Sequence, residues 1–311
     1  MNTQPFISII SPVFGAEGII SELVKQITAS VSTITSNFEI ILIEDRSPDN
    51  SWHEIVREAR TKKYIKAVRL SRNFGQHAAI AAGMELAKGD YVVVLDCDLQ
   101  HNPSYIPALY QLIQNGNDFV VARIKIREHS FIRNLCARAY YKLIKAISGY
   151  SVDPNIGSYS MLTRKVVDAF NQYNDYKKLY LWVLNWIGFK SDVLEISHKK
   201  RYLGKSAYNR RKLLSLALNV MLSNSDKPLY LSAYLGLIIS GFSFCGILCI
   251  LYQYFLRGAL LGWSSTIITI MFFSGLILTS IGVSAIYIAK IFEQTKQRPR
   301  YIISEELNVN E

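Results

Sequence analysis

Tyr91-Val92-Val93-Val94-Leu95-Asp96-Cys97-Asp98-Leu99-Gln100 decides the fold. Its apolar half reads as a strand buried on both faces, as in a parallel sheet covered by helices. Its polar half sets Asp96, Asp98 and Gln100 at alternate positions, and in an extended chain residues two apart point to one side. These side chains are therefore expected to converge beyond the strand's carboxyl end, where open α/β sheets bind their ligands. Oxygen donors of this kind suit Mg²⁺ or Mn²⁺, which commonly share them with a phosphate. The competing reading is a polar loop with Asn102 or Asp98 capping the next helix ahead of Pro103. The placement after a buried strand, with a third oxygen at the same period, favours the metal.

Upstream, Phe6 to Ser11 reads as a strand closed by Pro12, Phe38 to Ile43 as a second and Ile65 to Leu70 as a third. Helical periods over Gly18 to Val31, Trp52 to Arg60 and His77 to Ala87 alternate with them. Such alternation means β-α-β units with right-handed crossovers and a mostly parallel sheet. The second strand also ends in acids, Glu44 and Asp45, so Asp45 and Asp96 belong to one rim of a nucleotide-sized crevice. No G-x-G-x-x-G or P-loop follows the first strand, which argues against a dinucleotide enzyme or an NTPase.

Downstream, a helix from Pro103 to Gln114 and a strand from Asp118 to Ala122 continue the pattern. Arg123 to Tyr150 then mixes basic residues with Phe131, Leu135, Tyr140 and Ile144, the composition of a helix lying on a membrane surface. Asp153 to Ser160 reads as an active-site loop or turn. Helices over Arg164 to Phe170 and Tyr176 to Ile187, and a strand near Asp192 to Ile196, close the domain.

A basic cluster, His198 to Ser206 with Arg210-Arg211-Lys212, leads through an amphipathic segment into two apolar runs. Leu229 to Leu256 and Ser264 to Ala289 contain no charged side chain, and each exceeds the roughly 20 residues that cross a bilayer core. The linker Arg257 to Trp263 is short, so the pair reads as a hairpin. Basic residues flank it on the outside, and the positive-inside rule puts the catalytic domain and both termini in the cytoplasm. The expected organisation is a soluble domain over 1–206, a juxtamembrane helix over 207–228, a hairpin over 229–289 and a tail over 290–311. The expected location is the inner (cytoplasmic) membrane, multi-pass.

Lys and Arg number 35 against 24 Asp and Glu, a net charge of +11, which favours anionic partners. Because the basic runs abut apolar spans, a phosphorylated substrate or an anionic lipid fits better than nucleic acid. The four cysteines show no paired spacing, which suits a reducing compartment, and the amino terminus lacks the pattern of a signal peptide. His77 and His101 read as structural or solvent-facing rather than as metal ligands.

Several stretches resemble the family-2 (GT-A fold) glycosyltransferases, specifically the polyprenyl-phosphate enzymes similar to dolichyl-phosphate mannose synthase and the bactoprenol glucosyltransferases. These are Ile10-Ser11-Pro12-Val13-Phe14, Glu44-Asp45-Arg46-Ser47-Pro48-Asp49, Arg69-Leu70-Ser71-Arg72-Asn73-Phe74-Gly75-Gln76, Asp96-Cys97-Asp98-Leu99-Gln100, Gly204-Lys205-Ser206 and Gly262-Trp263. The resemblance implies inverting transfer of a sugar from a nucleotide-sugar, UDP-linked first and GDP-linked second, to a polyprenyl phosphate such as undecaprenyl phosphate. By it, Pro12, Glu17, Asp45 and Asp96 line the nucleotide, and Asp98 and Gln100 complete the Mg²⁺ or Mn²⁺ site begun by Asp96. Arg123, Arg127 and Arg138 are implied for the lipid phosphate, with Arg201 and Lys205 covering donor or acceptor phosphates.

Two departures stand out. Phe14-Gly15 replaces the usual Tyr-Asn, and the loop that often reads Gly-Asp-Phe-Arg is Gly157-Ser158-Tyr159-Ser160. Asp153 is the nearest substitute for the missing acid, either as a catalytic group or as a turn former before Pro154. The altered loop also keeps open a degenerate member acting as a membrane scaffold. A membrane-bound homo-oligomer is left open as well.

Overall fold

The computed structural model describes residues 4–125, 155–175, 178–197 and 262–309, together with Asp153 and scattered positions between 229 and 256. The chain divides into two units: 1–129 with 153–206 and 298–311, and 130–152 with 207–297.

In the first unit, β1 (Ile7–Val13), β2 (Phe38–Glu44), β3 (Ile65–Leu70) and β4 (Tyr91–Val94) alternate with α1 (Ile20–Val31), α2 (Ser51–Thr61) and α3 (Gln76–Leu86). A short 3₁₀ turn at Pro103–Tyr105 leads into α4 (Ile106–Gln114). Then follow β5 (Phe119–Ile124), β6 (Ile156–Thr163), α5 (Arg164–Gln172), α6 (Tyr180–Ile187) and β7 (Ser191–Ile196). The sheet order is β7-β5-β6-β4-β1-β2-β3-β8, where β8 is Ile303–Leu307. The central strands β4, β1, β2 and β3 run parallel, whereas β6 is antiparallel to β4 and β5, and β8 is antiparallel to β3. The α/β class expected from the sequence is present, and the sheet is mixed. Ile9, Leu42 and Val93 pack on one face, and Ile10, Ile41 and Val92 on the other, which is why these strands read as unbroken apolar runs. Gly83 lets α3 lie against Ile10, since a Cβ there would overlap the isoleucine side chain.

Three expectations need correction. Pro12 does not close β1, which runs on and pairs Pro12 with Ile43 and Val13 with Glu44. The carbonyl of Ile10 accepts from Leu95, so Ile10 and Pro12, two apart, both face the β4 side, and β4 ends at Val94. The proline therefore lacks its N–H where no strand remains to receive it. Gly157 to Ser160 is not a loop but part of β6, paired with β4 and β5, with Ser160 buried and bonded to the Tyr180 hydroxyl at 2.6 Å. The segment expected as a plain tail supplies β8, which covers the edge of β3.

In the second unit, α7 spans Trp263–Thr295, 33 residues, and its Phe272–Thr295 portion holds an 18-residue apolar window with a mean hydropathy of 1.9, none of it buried. It is long and apolar enough to cross a membrane. The described positions of the earlier apolar run are helical and largely exposed, Phe242 and Phe255 among them. The amphipathic stretch over 126–150 and the basic cluster over 198–212 lie outside the described residues.

Candidate active site

Two strand ends build the rim. At β2, Glu44 is fully buried; one carboxylate oxygen accepts the Ser47 N–H, and the other accepts Arg69 Nε at 3.0 Å. Next to it, the two oxygens of Asp45 accept the N–H groups of Phe74 and Gly75 at 2.7 and 2.8 Å. Burial, with Glu44 as a like-charged neighbour, raises the Asp45 pKa, and the two N–H bonds oppose that rise. Gly75 begins α3 with φ +93°, a conformation that a side chain would strain. Asp45 thus ties the Ser71–Gln76 loop to the end of β2.

The loops after β1 and β2 are laced together. Gly15 N–H donates to Ser47 Oγ at 3.1 Å, Ala16 N–H to Ser51 Oγ at 3.0 Å, and Glu17 N–H to Asp49 at 3.1 Å. Glu17 returns the contact by accepting the Asn50 side-chain amide at 2.9 Å. Burial tends to raise the Asp49 pKa, but hydrogen bonds from Ser51 and Glu17 outweigh it and hold the carboxyl below its ordinary range. Glu17 and Asp49 therefore shape the rim.

At β4 the expected geometry is corrected. The chain leaves the strand at Val94 and turns, with Leu99 at φ +56° and Asp98 Oδ1 accepting the Gln100 N–H at 3.1 Å. Strand alternation therefore does not aim Asp96, Asp98 and Gln100. A side-chain-to-backbone turn holds this segment instead, with Asp98 beside Asp96. The cap reading also holds: Asn102 Oδ1 accepts the Ser104 N–H at 3.0 Å.

Asp96 Oδ1 accepts Gln76 Nε2 at 2.6 Å and the Ser158 hydroxyl at 2.7 Å, and Oδ2 faces His101 Nδ1 at 3.8 Å. Burial raises the Asp96 pKa and nearby Asp98 adds to it, against Ser158, His101 and Gln76. A carboxylate whose charge burial disfavours, with a second acid beside it, suits a hard cation, and Asp96, Asp98 and Gln100 carry oxygen donors of the type that Mg²⁺ or Mn²⁺ takes. Among the described residues no group of three His, Cys, Asp or Glu side chains is gathered for a metal, so a cation here would take its remaining oxygens from a ligand or water. Cys97 is buried and its thiol is pushed up to about 12 by burial, which removes it as a nucleophile at neutral pH. His101 packs against Tyr159, as a structural histidine should.

Asp153 sits away from this pair in role. One oxygen faces Arg123 Nε at 2.8 Å and the other accepts the Asn155 N–H at 2.9 Å, so it acts as a turn former. Arg127, Arg138, Arg201 and Lys205 lie outside the described residues. Sequence reasoning assigned no role to Gln76, Ser158 or Arg69. Arg69 and Gln76 begin and end a motif that was already visible, and Ser158 stood out as a departure, but the partners of Arg69 and Ser158 lie on other elements and gave no local signal. Arg72 stacks over the Phe74 ring at 4.3 Å and faces a cavity of about 380 Å³ shared with His77, Lys178 and Arg300.

The family model for glycosyl transferase family 2 matches residues 8–170. A Bacillus subtilis (strain 168) protein, the uncharacterized glycosyltransferase YkcC, is 31% identical over 97% of this chain and 94% of its own length. The bactoprenol glucosyl transferase of Shigella phage SfV is 32% identical over 96% of this chain and 98% of its own length. Glucosyl-3-phosphoglycerate synthase from Mycobacterium tuberculosis, solved with Mn²⁺, UDP-glucose and phosphoglyceric acid, shares the fold at 14% identity. Its TM-score is 0.52 over 70% of this chain and 78% of that one. With strand ends, acidic turn and family model in agreement, the chain belongs to glycosyl transferase family 2 and is similar within it to the bactoprenol glucosyl transferases.

Proposed function

We propose that this protein transfers a sugar from a nucleotide-sugar, UDP-linked in preference to GDP-linked, to a polyprenyl phosphate such as undecaprenyl phosphate at the cytoplasmic face of the membrane. The observation that carries the reading is the Asp96–Asp98 turn on one rim with Asp45, in a chain similar over 96% of its length to a bactoprenol glucosyl transferase. Pro12, Glu17 and Asp45 frame the nucleotide, and Phe14, 52% exposed on the same rim, offers an apolar face to a base. A divalent cation held by Asp96, Asp98 and Gln100 would neutralise the departing diphosphate. Gln76 and Ser158 fix one oxygen of Asp96, which holds the carboxylate in place on the rim.

The acceptor phosphate is already ionised near neutral pH and needs little help from a base. Its oxygen forms a bond to the anomeric carbon as the bond to the nucleoside diphosphate breaks, and the electron pair leaves with the diphosphate. One displacement inverts the centre. Arg123, Arg127, Arg138 and Arg201 are assigned to the lipid phosphate and Lys205 to the donor, with Arg123 sharing its charge with Asp153. The apolar runs over 229–256 and 264–289 form the hairpin that brings the lipid to the domain.

The test is transfer to undecaprenyl phosphate from a panel of UDP- and GDP-sugars, with Mn²⁺ or with EDTA. A lipid-linked product from one donor, lost in EDTA, is expected. Absence of product with every donor, together with no binding of UDP or GDP, would establish the scaffold instead.

A further inference from the structure

β8 follows α7 in the chain and docks on β3 with Glu305 directly opposite Arg69. Arg69 is the junction of a longer chain of contacts. Its Nη1 lies 2.8 Å from Glu305 Oε1, its Nε lies 3.0 Å from Glu44 Oε2, and its guanidinium sits 5.5 Å over the Trp52 ring. Trp52 donates its indole N–H to the second Glu305 oxygen at 3.2 Å. Glu44 holds the Ser47 N–H, and Ser47 Oγ holds the Gly15 N–H, so the sequence Glu305–Arg69–Glu44–Ser47–Gly15 runs from the carboxyl-terminal strand to the loop after β1. The Arg69 side chain is 20% exposed and that of Glu44 is fully buried, so the pair is largely withdrawn from water and losing one partner would leave the other's charge uncompensated. Glu305 is the group that holds the other arm of the fork, and such a fork confers geometry as well as energy.

We propose that Glu305 is a positioning residue for the donor site: it orients Arg69 against Glu44, and this sets the two loops that frame the nucleotide. The proposal rests on the donor-site reading above. Its consequence is that full donor affinity requires the segment following α7 to be docked on β3. The rest of the tail provides an internal control. Asn308 donates to the carbonyls of Ala59 and Ile65 at 2.8 and 2.9 Å, anchoring the strand's far end without touching the Arg69 chain.

The experiment uses the purified full-length protein in detergent, with UDP and Mn²⁺ as the calorimetric probe and GDP where UDP does not bind. Kd, donor KM, kcat and Tm are recorded for Glu305→Gln and Asn308→Ala. Glu305→Gln keeps the shape and removes the charge; it should weaken nucleotide binding and raise donor KM by about tenfold, with kcat nearly unchanged. Asn308→Ala should lower Tm and leave donor KM at the wild-type value. In the double variant with Arg69→Lys, the loss should be less than additive, because both changes act on one chain of contacts. Unchanged nucleotide affinity in Glu305→Gln, or losses in both single variants that simply track Tm, would overturn the proposal while leaving the donor site intact. Failure of the wild type to bind either nucleotide would overturn both.

Discussion

β2 and β4 both end in a pair of acids, and the two pairs do different work. At β2 the carboxylates are consumed by the protein: Glu44 by Ser47 and Arg69, and Asp45 by the N–H groups of Phe74 and Gly75. At β4 only one oxygen of Asp96 is clamped, by Gln76 and Ser158, and Asp98 bonds within its own turn. The first pair builds loops. The second is the pair proposed to meet a cation and a diphosphate. Acidity at a strand end is therefore not in itself a sign of catalysis; the partners decide.

The contrast can be broken most sharply at Asp98. Replacing it by Ala should reduce transfer on the order of a thousandfold, the size expected for losing a metal ligand worth several kcal/mol. Tm should move by no more than about 2 °C, since the bond from the Gln100 N–H to that side chain closes its own turn. Activity close to wild type would erase the distinction between the pairs. Glu44→Ala should act on the fold as well, costing about 2–3 kcal/mol of stability because a buried N–H of the rim loses its acceptor. Denaturant titration measures it. Asp45→Asn should cost less, about 1–2 kcal/mol, because its single carbonyl oxygen cannot serve both Phe74 and Gly75 as the carboxylate does. That variant should also lose donor affinity more than kcat.

A further expected effect is a pH dependence away from both pairs. Lys178 donates to the carbonyls of Phe170 and Asn171, and burial, then Arg300, lower its pKa from 10.5 to about 8 against the pull of Glu85. Between those values the unfolded chain carries the proton and the folded chain does not. Stability relative to Lys178→Met should therefore rise as pH climbs from about 8 to 10.5. Thermal melts of the two proteins that stay parallel across that window would contradict the assignment.

Much of this architecture was legible because it is periodic. Val92, Val93 and Val94 announce a strand buried on both faces, and Ile20, Leu23, Val24 and Ile27 announce the helical face that packs on the sheet. The rim was legible too, because acids stand immediately after such runs. The turn at Asp96–Gln100 was misjudged because nothing in an alternating pattern signals the positive φ of Leu99. β6 was misjudged because Gly157, Ser158 and Ser160 are polar in composition, yet Ser158 and Ser160 find partners on other elements. β8 was invisible for the same reason: Ser304, Glu305 and Glu306 look like a solvated tail, and the residue that gives Glu305 its meaning lies 236 positions away. Local pattern predicts elements, whereas pairing over such distances belongs to the folded sheet.

The central claim is that the Asp96–Asp98 turn holds a metal-bound nucleoside diphosphate. The most direct test is calorimetry of UDP binding to the purified wild type and to Asp98→Ala, each with Mn²⁺ and again with EDTA. The account predicts binding by the wild type in Mn²⁺ that disappears in EDTA, and no measurable binding by a folded Asp98→Ala protein in either condition. Equal binding by both proteins, or binding indifferent to EDTA, would contradict it.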